Sequence, residues 1–167
     1  MNNSTREKIE LEHDAARIFM RLYEERSGLP MRHIWHNEPG KPDVSCYLDG
    51  DRMALEIAHI YGSEEEAKLI LGRAANIRTL EALHRLIQVP VGDRLLTALN
   101  AVLASKSGKT YHSDRVWLVI RNANPLWSTD DLKQCLHRVS LPPAHPFEQI
   151  WVIGDMTGES GILRLYP

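Results

Sequence analysis

The residues with the clearest chemical potential are two carboxylates, Asp43 and Glu56, on neighbouring segments that both have strand character. Asp49-Gly50-Asp51 lies between the segments and is typical of a β-hairpin turn. A hairpin folded there brings Asp43, near the start of the first strand, close to Glu56, late in the second. Because carboxylate oxygens are the ligands that hard divalent cations prefer, this spacing predicts a metal site at one edge of a sheet.

A third carboxylate, Glu12, is predicted to face the core from the first helix. The segment from Ser4 to about Arg26 has apolar residues at helical spacing, and Ser4-x-x-Glu7 is typical of a capping box. Glu12 falls in the middle of the apolar arc. An unpaired buried carboxylate is unfavourable, so we expect an arginine, a lysine or a metal site beside it; the alternatives are a buried ion pair or an arc wide enough for Glu12 to reach solvent.

The elements that must position these residues alternate between helices and strands. Strands are predicted at about 31–36, 43–48, 52–60, 115–120, 149–154 and 161–166. A helical region is predicted at about 64–105, opened by a capping box at Ser63-x-x-Glu66 and interrupted near Val89-Pro90-Val91-Gly92, and a short helix at about 130–139. The apolar run 115–120 is typical of a central strand that is covered on both faces.

Glu12, Pro42-Asp43 and Glu56, in this order of elements, resemble the PD-(D/E)xK, or restriction-endonuclease-like, nuclease superfamily. The resemblance implies an α/β fold with a three-layer core, a mixed β-sheet flanked by helices, over one domain from 1 to 167. It also implies a metal-dependent nuclease that hydrolyses phosphodiester bonds of nucleic acid. Mg²⁺ or Mn²⁺ would be held by Asp43 and Glu56, helped by Glu12 or by the carbonyl of Ile57, and homodimerisation would be in keeping with the family.

The chain departs from that family at Ala58, which stands where the family has its catalytic lysine. Side chains alternate along a strand, so Ala58 shares a face with Glu56, whereas His59 points to the other face and is a poor replacement. Other lysines could supply the ammonium group, and the sequence does not choose among Lys106, Lys109 and Lys41.

Two alternatives to an active nuclease stay open at this stage. The first is a catalytically silent nuclease-like module that binds nucleic acid or a protein partner without cutting. The second is an unrelated mixed α/β fold, in which the three carboxylates would lie far apart. The sequence contains no glycine-rich phosphate loop, Gly-x-Ser-x-Gly elbow or dinucleotide fingerprint, which argues against NTP hydrolysis, common acyl transfer and nicotinamide chemistry.

Composition limits the class of protein further. A chain of 167 residues that is 43% apolar suits one buried core. The formal net charge of −2 gives no general attraction for nucleic acid, but residues 67–113 contain seven basic and two acidic residues. This basic region could follow a phosphate backbone, or its charges could belong to ordinary solvated helix faces.

We expect a cytoplasmic protein without a membrane partner, because no apolar stretch approaches the ~20 residues that span a bilayer and the N-terminus lacks a signal-peptide pattern. Cys46 and Cys135 are then expected to be reduced thiols. Trp35, Trp117 and Trp151 are predicted in the core, whereas Trp127, in a loop, is predicted to be exposed.

Overall fold

In the residues that the structure describes, the helices and strands follow one another in the predicted order. The computed structural model describes residues 3–38, 41–62, 81, 84–85 and 90–167. The elements of these residues are α1 (Asn3–Ser27), β1 (Met31–His36), β2 (Val44–Leu48), β3 (Asp51–Ile60), α2 (Val91–Ser107), β4 (Val116–Asn122), α3 (Thr129–Cys135), β5 (Gln149–Ile153) and β6 (Ile162–Tyr166). A single 3₁₀ turn, Leu136–Arg138, extends α3.

The strands form one mixed sheet of six strands in the order β1-β2-β3-β4-β5-β6. The first three strands pair antiparallel, as do β5 and β6, whereas β3, β4 and β5 run parallel. All seven residues of β4 are buried, which confirms the central position predicted from its apolar run. The chain therefore has the α/β class expected from its sequence.

Helices cover both faces of this sheet, because the apolar side chains of β4 alternate between two clusters. Trp117 and Val119 pack in one cluster with Phe19 of α1. Leu118 and Ile120 pack in the other, which contains the buried leucines of α2 and Leu132 of α3. In the described residues, α1 forms one outer layer and α2 with α3 forms the other.

The hairpin between β2 and β3 is closed by a two-residue turn at Asp49 and Gly50, both with positive φ, 49° and 85°. Positive φ at both central residues is the geometry that matches the twist of two antiparallel strands, and glycine adopts it without strain. The register pairs Val44 with Leu55. Continued by one residue, it sets Asp43 opposite Glu56, so the turn determines the position of both carboxylates.

Three sequence predictions about local structure are wrong. Trp127 is 2% exposed rather than on the surface, because the loop folds over the α2 side of the sheet and the Asn122 side chain donates to the Trp127 carbonyl at 2.8 Å. Ser4 lies inside α1, which includes Asn3, and so does not cap it. Trp117 and Trp151 are in the core as predicted, but Trp35 is only half-buried.

Part of the predicted helical region lies outside the described residues, including the Ser63 capping box and the basic residues Lys68, Arg73 and Arg78. Its last part is confirmed by α2, which begins directly after Pro90. Both cysteines are free and buried. In the portion of the chain that the structure describes, no helix is long and apolar enough to cross a membrane.

Candidate active site

Asp43 and Glu56 meet across the β2–β3 pair, as the hairpin predicted. The Asp43 backbone N–H donates to Glu56 Oε1 at 3.2 Å. In the opposite direction, the Ile57 N–H donates to Asp43 Oδ2 at 2.9 Å. Each carboxylate therefore accepts a hydrogen bond from the backbone of the other strand, which holds the pair in a defined geometry.

The protonation of this pair is set by burial and by mutual repulsion. Burial, the hydrogen bond to Glu56 and the charge of Glu56 together raise the pKa of Asp43 to about 7. Burial alone would raise the pKa of Glu56 too, but the hydrogen bond from Asp43, the charge of Lys106 and the Tyr111 hydroxyl together lower it. In mildly acidic solution, below the raised pKa of Asp43, the two carboxyls therefore hold one proton and one negative charge.

Lys106, one of the predicted replacements for the missing lysine, contacts this pair. It lies in the last turn of α2, and its Nζ donates to Glu56 Oε2 at 3.2 Å. The Lys106 side chain is 20% exposed and that of Glu56 is 5% exposed, so this ion pair is largely shielded from water. Ala58 lies on the α2 side of β3, as the alternation predicted. Because its side chain is only a methyl group, it leaves room for Lys106 of α2 to approach Glu56.

Tyr111 is a site residue that sequence reasoning missed. Its hydroxyl donates to Glu56 Oε2 at 2.8 Å, the oxygen that also contacts Lys106. Burial, and the negative charge and hydrogen bond of Glu56, raise the pKa of the Tyr111 phenol, which therefore stays a donor. The loop sequence around Tyr111 contains no motif that marks it, because its role arises only when the end of α2 packs beside β3.

Glu12 is buried, 5% exposed, as its place in the helical arc predicted. The expected lysine neighbour is Lys8, whose Nζ lies 3.7 Å from Glu12 Oε1. Burial raises the pKa of Glu12 against the opposing effect of Lys8, and the charge of Glu56 raises it further. His36 Nδ1 lies 3.8 Å from Glu12 Oε2, and burial and the charge of Lys8 lower the pKa of His36, which favours its neutral form in this contact.

A cavity of about 590 Å³ unites the predicted residues, and we call it the central cavity. Its charged lining is made of the three predicted carboxylates, a fourth carboxylate and four lysines: Glu12, Asp43, Glu56, Glu38, Lys8, Lys41, Lys106 and Lys109. In an unrelated fold, Glu12, Asp43 and Glu56 were expected to lie far apart. Instead, all three line the central cavity. Lys106 contacts a carboxylate directly, whereas Lys109 and Lys41 contribute to the wall.

The oxygen ligands predicted for a cation are the carboxylates of Asp43 and Glu56, helped by Glu12 or by the Ile57 carbonyl. In residues 3–38, 41–62 and 90–167, no three histidine, cysteine, aspartate or glutamate side chains are grouped as metal ligands. The Ile57 N–H donates to Asp43, whereas the role of the Ile57 carbonyl as a ligand stays a prediction.

Comparisons of the chain with protein-family models, with curated proteins and with solved structures found no match. The functional argument therefore depends on the side chains of the central cavity themselves.

Proposed function

We propose that this protein is a metal-dependent nuclease that hydrolyses phosphodiester bonds of nucleic acid, on a restriction-endonuclease-like core. The observation that carries the proposal is the contact between Lys106 and Glu56. Ala58 occupies the position on β3 where the family has its lysine, and Lys106 supplies an ammonium group to the same site from α2. A carboxylate pair with an adjacent lysine is the set of groups needed to hold a cation and to stabilise charge on a phosphate.

The carboxylate pair also fits a hard divalent cation. Glu56 is buried and Asp43 is half-buried beside it. Burial, then the hydrogen bond to Glu56 and the negative charge of Glu56, raise the pKa of Asp43, so repulsion between the two carboxylates contributes to the shift. A cation between them would relieve that repulsion and displace the shared proton. Mg²⁺ suits this small ligand set, because it commonly binds through one or two carboxylates and keeps several waters or substrate oxygens.

Asp43 and Glu56, with the Ile57 carbonyl, would hold Mg²⁺ or Mn²⁺. The bound cation would activate a water molecule for attack and offset the charge that develops on the scissile phosphate. Lys106 would donate to the phosphate oxygens as that charge develops. Tyr111 would keep the Glu56 carboxylate in place, and Lys109, on the cavity wall, would contact the substrate backbone.

One observation favours the alternative, a catalytically silent module that binds nucleic acid or a protein partner. Both oxygens of Glu56 already accept hydrogen bonds, Oε1 from the Asp43 N–H and Oε2 from Lys106 and Tyr111. A carboxylate satisfied in this way can serve as a structural anchor between β3 and α2. The two functions differ in whether a cation binds and whether a phosphodiester bond breaks.

The test is cleavage of single-stranded and double-stranded DNA and RNA in the presence of Mg²⁺, Mn²⁺ or EDTA. The variants are Asp43→Ala, Glu56→Ala and Lys106→Gln, with Lys133→Gln as matched control, because Lys133 is exposed on α3. The proposal predicts metal-dependent cutting that the first three variants abolish and the control retains.

Circular dichroism should show that every variant is folded. A folded wild-type protein that cuts no substrate, and whose melting temperature does not rise with Mg²⁺ or Mn²⁺, would overturn the proposal and favour the silent module.

A further inference from the structure

A second cavity lies beside the central cavity and shares Asn37 and Lys41 with it. Its volume is about 350 Å³, and it lies over the β2–β3 hairpin between Lys41 and the residues that precede β4. The cations of its wall are Lys41, Arg52 and Arg115, against the single carboxylate of Asp114. Glu148 pairs with Arg115, which leaves Lys41 and Arg52 as the cations facing this space.

Aromatic side chains lie beside Arg52, which lines this cavity, on the same sheet face. Trp35 and Tyr47 are both half-buried, and their ring centroids lie 5.6 Å apart. The Arg52 guanidinium lies over the indole of Trp35, 5.5 Å from the ring centroid. We call Trp35, Tyr47 and Arg52 the Trp35 platform.

The Trp35 platform and the carboxylate pair face the same way. In β2, Val44 and Cys46 pack in the cluster that contains α1, so Tyr47 and Asp43 alternate to the other face. In β3, the same alternation sets Arg52 on the face of Glu56. Four residues of strand separate Arg52 from Glu56, about 13 Å at ~3.3 Å per residue, which is a short distance along an extended nucleic-acid strand.

We propose that the Trp35 platform binds an unpaired strand of nucleic acid and leads it into the central cavity. The inference rests on the proposed function and makes it specific, since it assigns single-stranded nucleic acid as the substrate class. Half-exposed aromatic rings beside an arginine offer a stacking surface for any base, and cations on the wall follow the phosphates. A duplex cannot use this surface in the same way, because its bases are already stacked on one another.

Binding is tested in EDTA, so that cutting does not interfere, with fluorescein-labelled single strands of DNA and RNA and the matching duplexes. Fluorescence anisotropy measures affinity over a range of salt concentrations for wild type, Trp35→Leu, Trp35→Phe and Arg52→Gln. The matched control is Arg138→Gln, because Arg138 is exposed on the 3₁₀ turn after α3. Trp35→Phe keeps a stacking ring, so it separates loss of stacking from loss of folding.

The proposal predicts tighter binding of single strands than of duplexes. Trp35→Leu should weaken single-strand binding about tenfold, whereas Trp35→Phe should stay within about threefold of wild type. Arg52→Gln should reduce the slope of log affinity against log salt by about 0.7, the value for one phosphate contact on a single strand. Arg138→Gln should leave affinity and slope unchanged.

Equal binding by Trp35→Leu and wild type, tighter binding of duplexes, or no binding by wild type would overturn the inference. Its failure can be told from failure of the proposed function. Cutting that is independent of Trp35 would refute the platform alone. Platform-dependent binding by a wild-type protein that never cuts would refute the nuclease and leave the platform standing.

Discussion

Replacing Asp43 by asparagine tests the electrostatic description of the site most directly. The folded protein holds the pKa of Asp43 at about 7, against an ordinary value of 3.8. Between these values the folded chain binds a proton that the unfolded chain has lost, so this group makes the protein less stable as pH rises through that window. Asparagine has the same shape, carries no charge, and can donate to Glu56 as the protonated carboxyl does.

The magnitude follows from the pKa difference. Stability changes by about 1.4 kcal/mol per pH unit while one proton separates the folded and unfolded states. From about pH 5 to about pH 7 the wild type should lose roughly 3 kcal/mol relative to Asp43→Asn, with no further change above that. Because the comparison is between two proteins that share all their histidines, the histidine titrations cancel.

The assay is urea unfolding in EDTA at a series of pH values. Asp114→Asn is the matched control, since Asp114 is exposed. Adding Mg²⁺ at about pH 8 should stabilise the wild type and leave Asp43→Asn unchanged. A flat difference curve for Asp43→Asn would refute the reasoning, because it would mean that Asp43 is ionised in the folded protein and that Lys106 compensates both carboxylates.

Other changes around the site have equally definite outcomes. Lys106→Gln should abolish cutting and lower the free energy of unfolding by about 1–3 kcal/mol, because it leaves the Glu56 charge buried without a cation; urea unfolding and a cleavage assay measure both. Adding Ala58→Lys to that variant should restore part of the cutting, because Ala58 and Lys106 line a common cavity of about 560 Å³ that has room for a lysine side chain. If a folded double variant recovers no cutting, the ammonium group has no role in the reaction. Tyr111→Phe should destabilise by about 1 kcal/mol and raise the pKa of Glu56, measurable by NMR titration of the carboxyl carbon; an unchanged pKa would contradict the Tyr111 contact. The Cys46 thiol should not react with a thiol reagent in the native protein, because burial raises its pKa to about 12, and rapid reaction before unfolding would contradict that burial.

The sequence predicted those features that depend on local rules. The Asp49-Gly50 turn and the two flanking strands set the register of the hairpin, and that register alone brings Asp43 to Glu56. The helical periodicity placed Glu12 on the buried side of α1, and the apolar run before residue 121 gave the central strand. Each of these results depends on the periodicity of one helix or strand, or on one turn. Residues that are close together in the sequence are enough to predict such features.

Features that depend on contacts between distant segments were not predicted. Trp127 is buried because Asn122 donates to its carbonyl and the loop covers the α2 side of the sheet, an arrangement that composition does not reveal. Tyr111 becomes a partner of Glu56 across 55 positions of sequence. Trp35 and Tyr47 are half-buried beside the exposed Arg52, on the sheet face opposite α1.

The choice among Lys106, Lys109 and Lys41 also depends on a contact between distant segments, and the sequence alone did not make it. Glu56 faces the α2 side of the sheet, so a replacement ammonium must come from an element that packs on that side. Leu95, Leu99 and Leu103 occupy one face of α2 at intervals of four residues and are fully buried. Lys106 follows Leu103 by three residues and therefore continues that face, whereas Lys109 lies beyond the end of the helix. The leucine spacing thus favours Lys106, but only once it is known that α2 lies over β3, and that docking is a property of the fold rather than of the spacing.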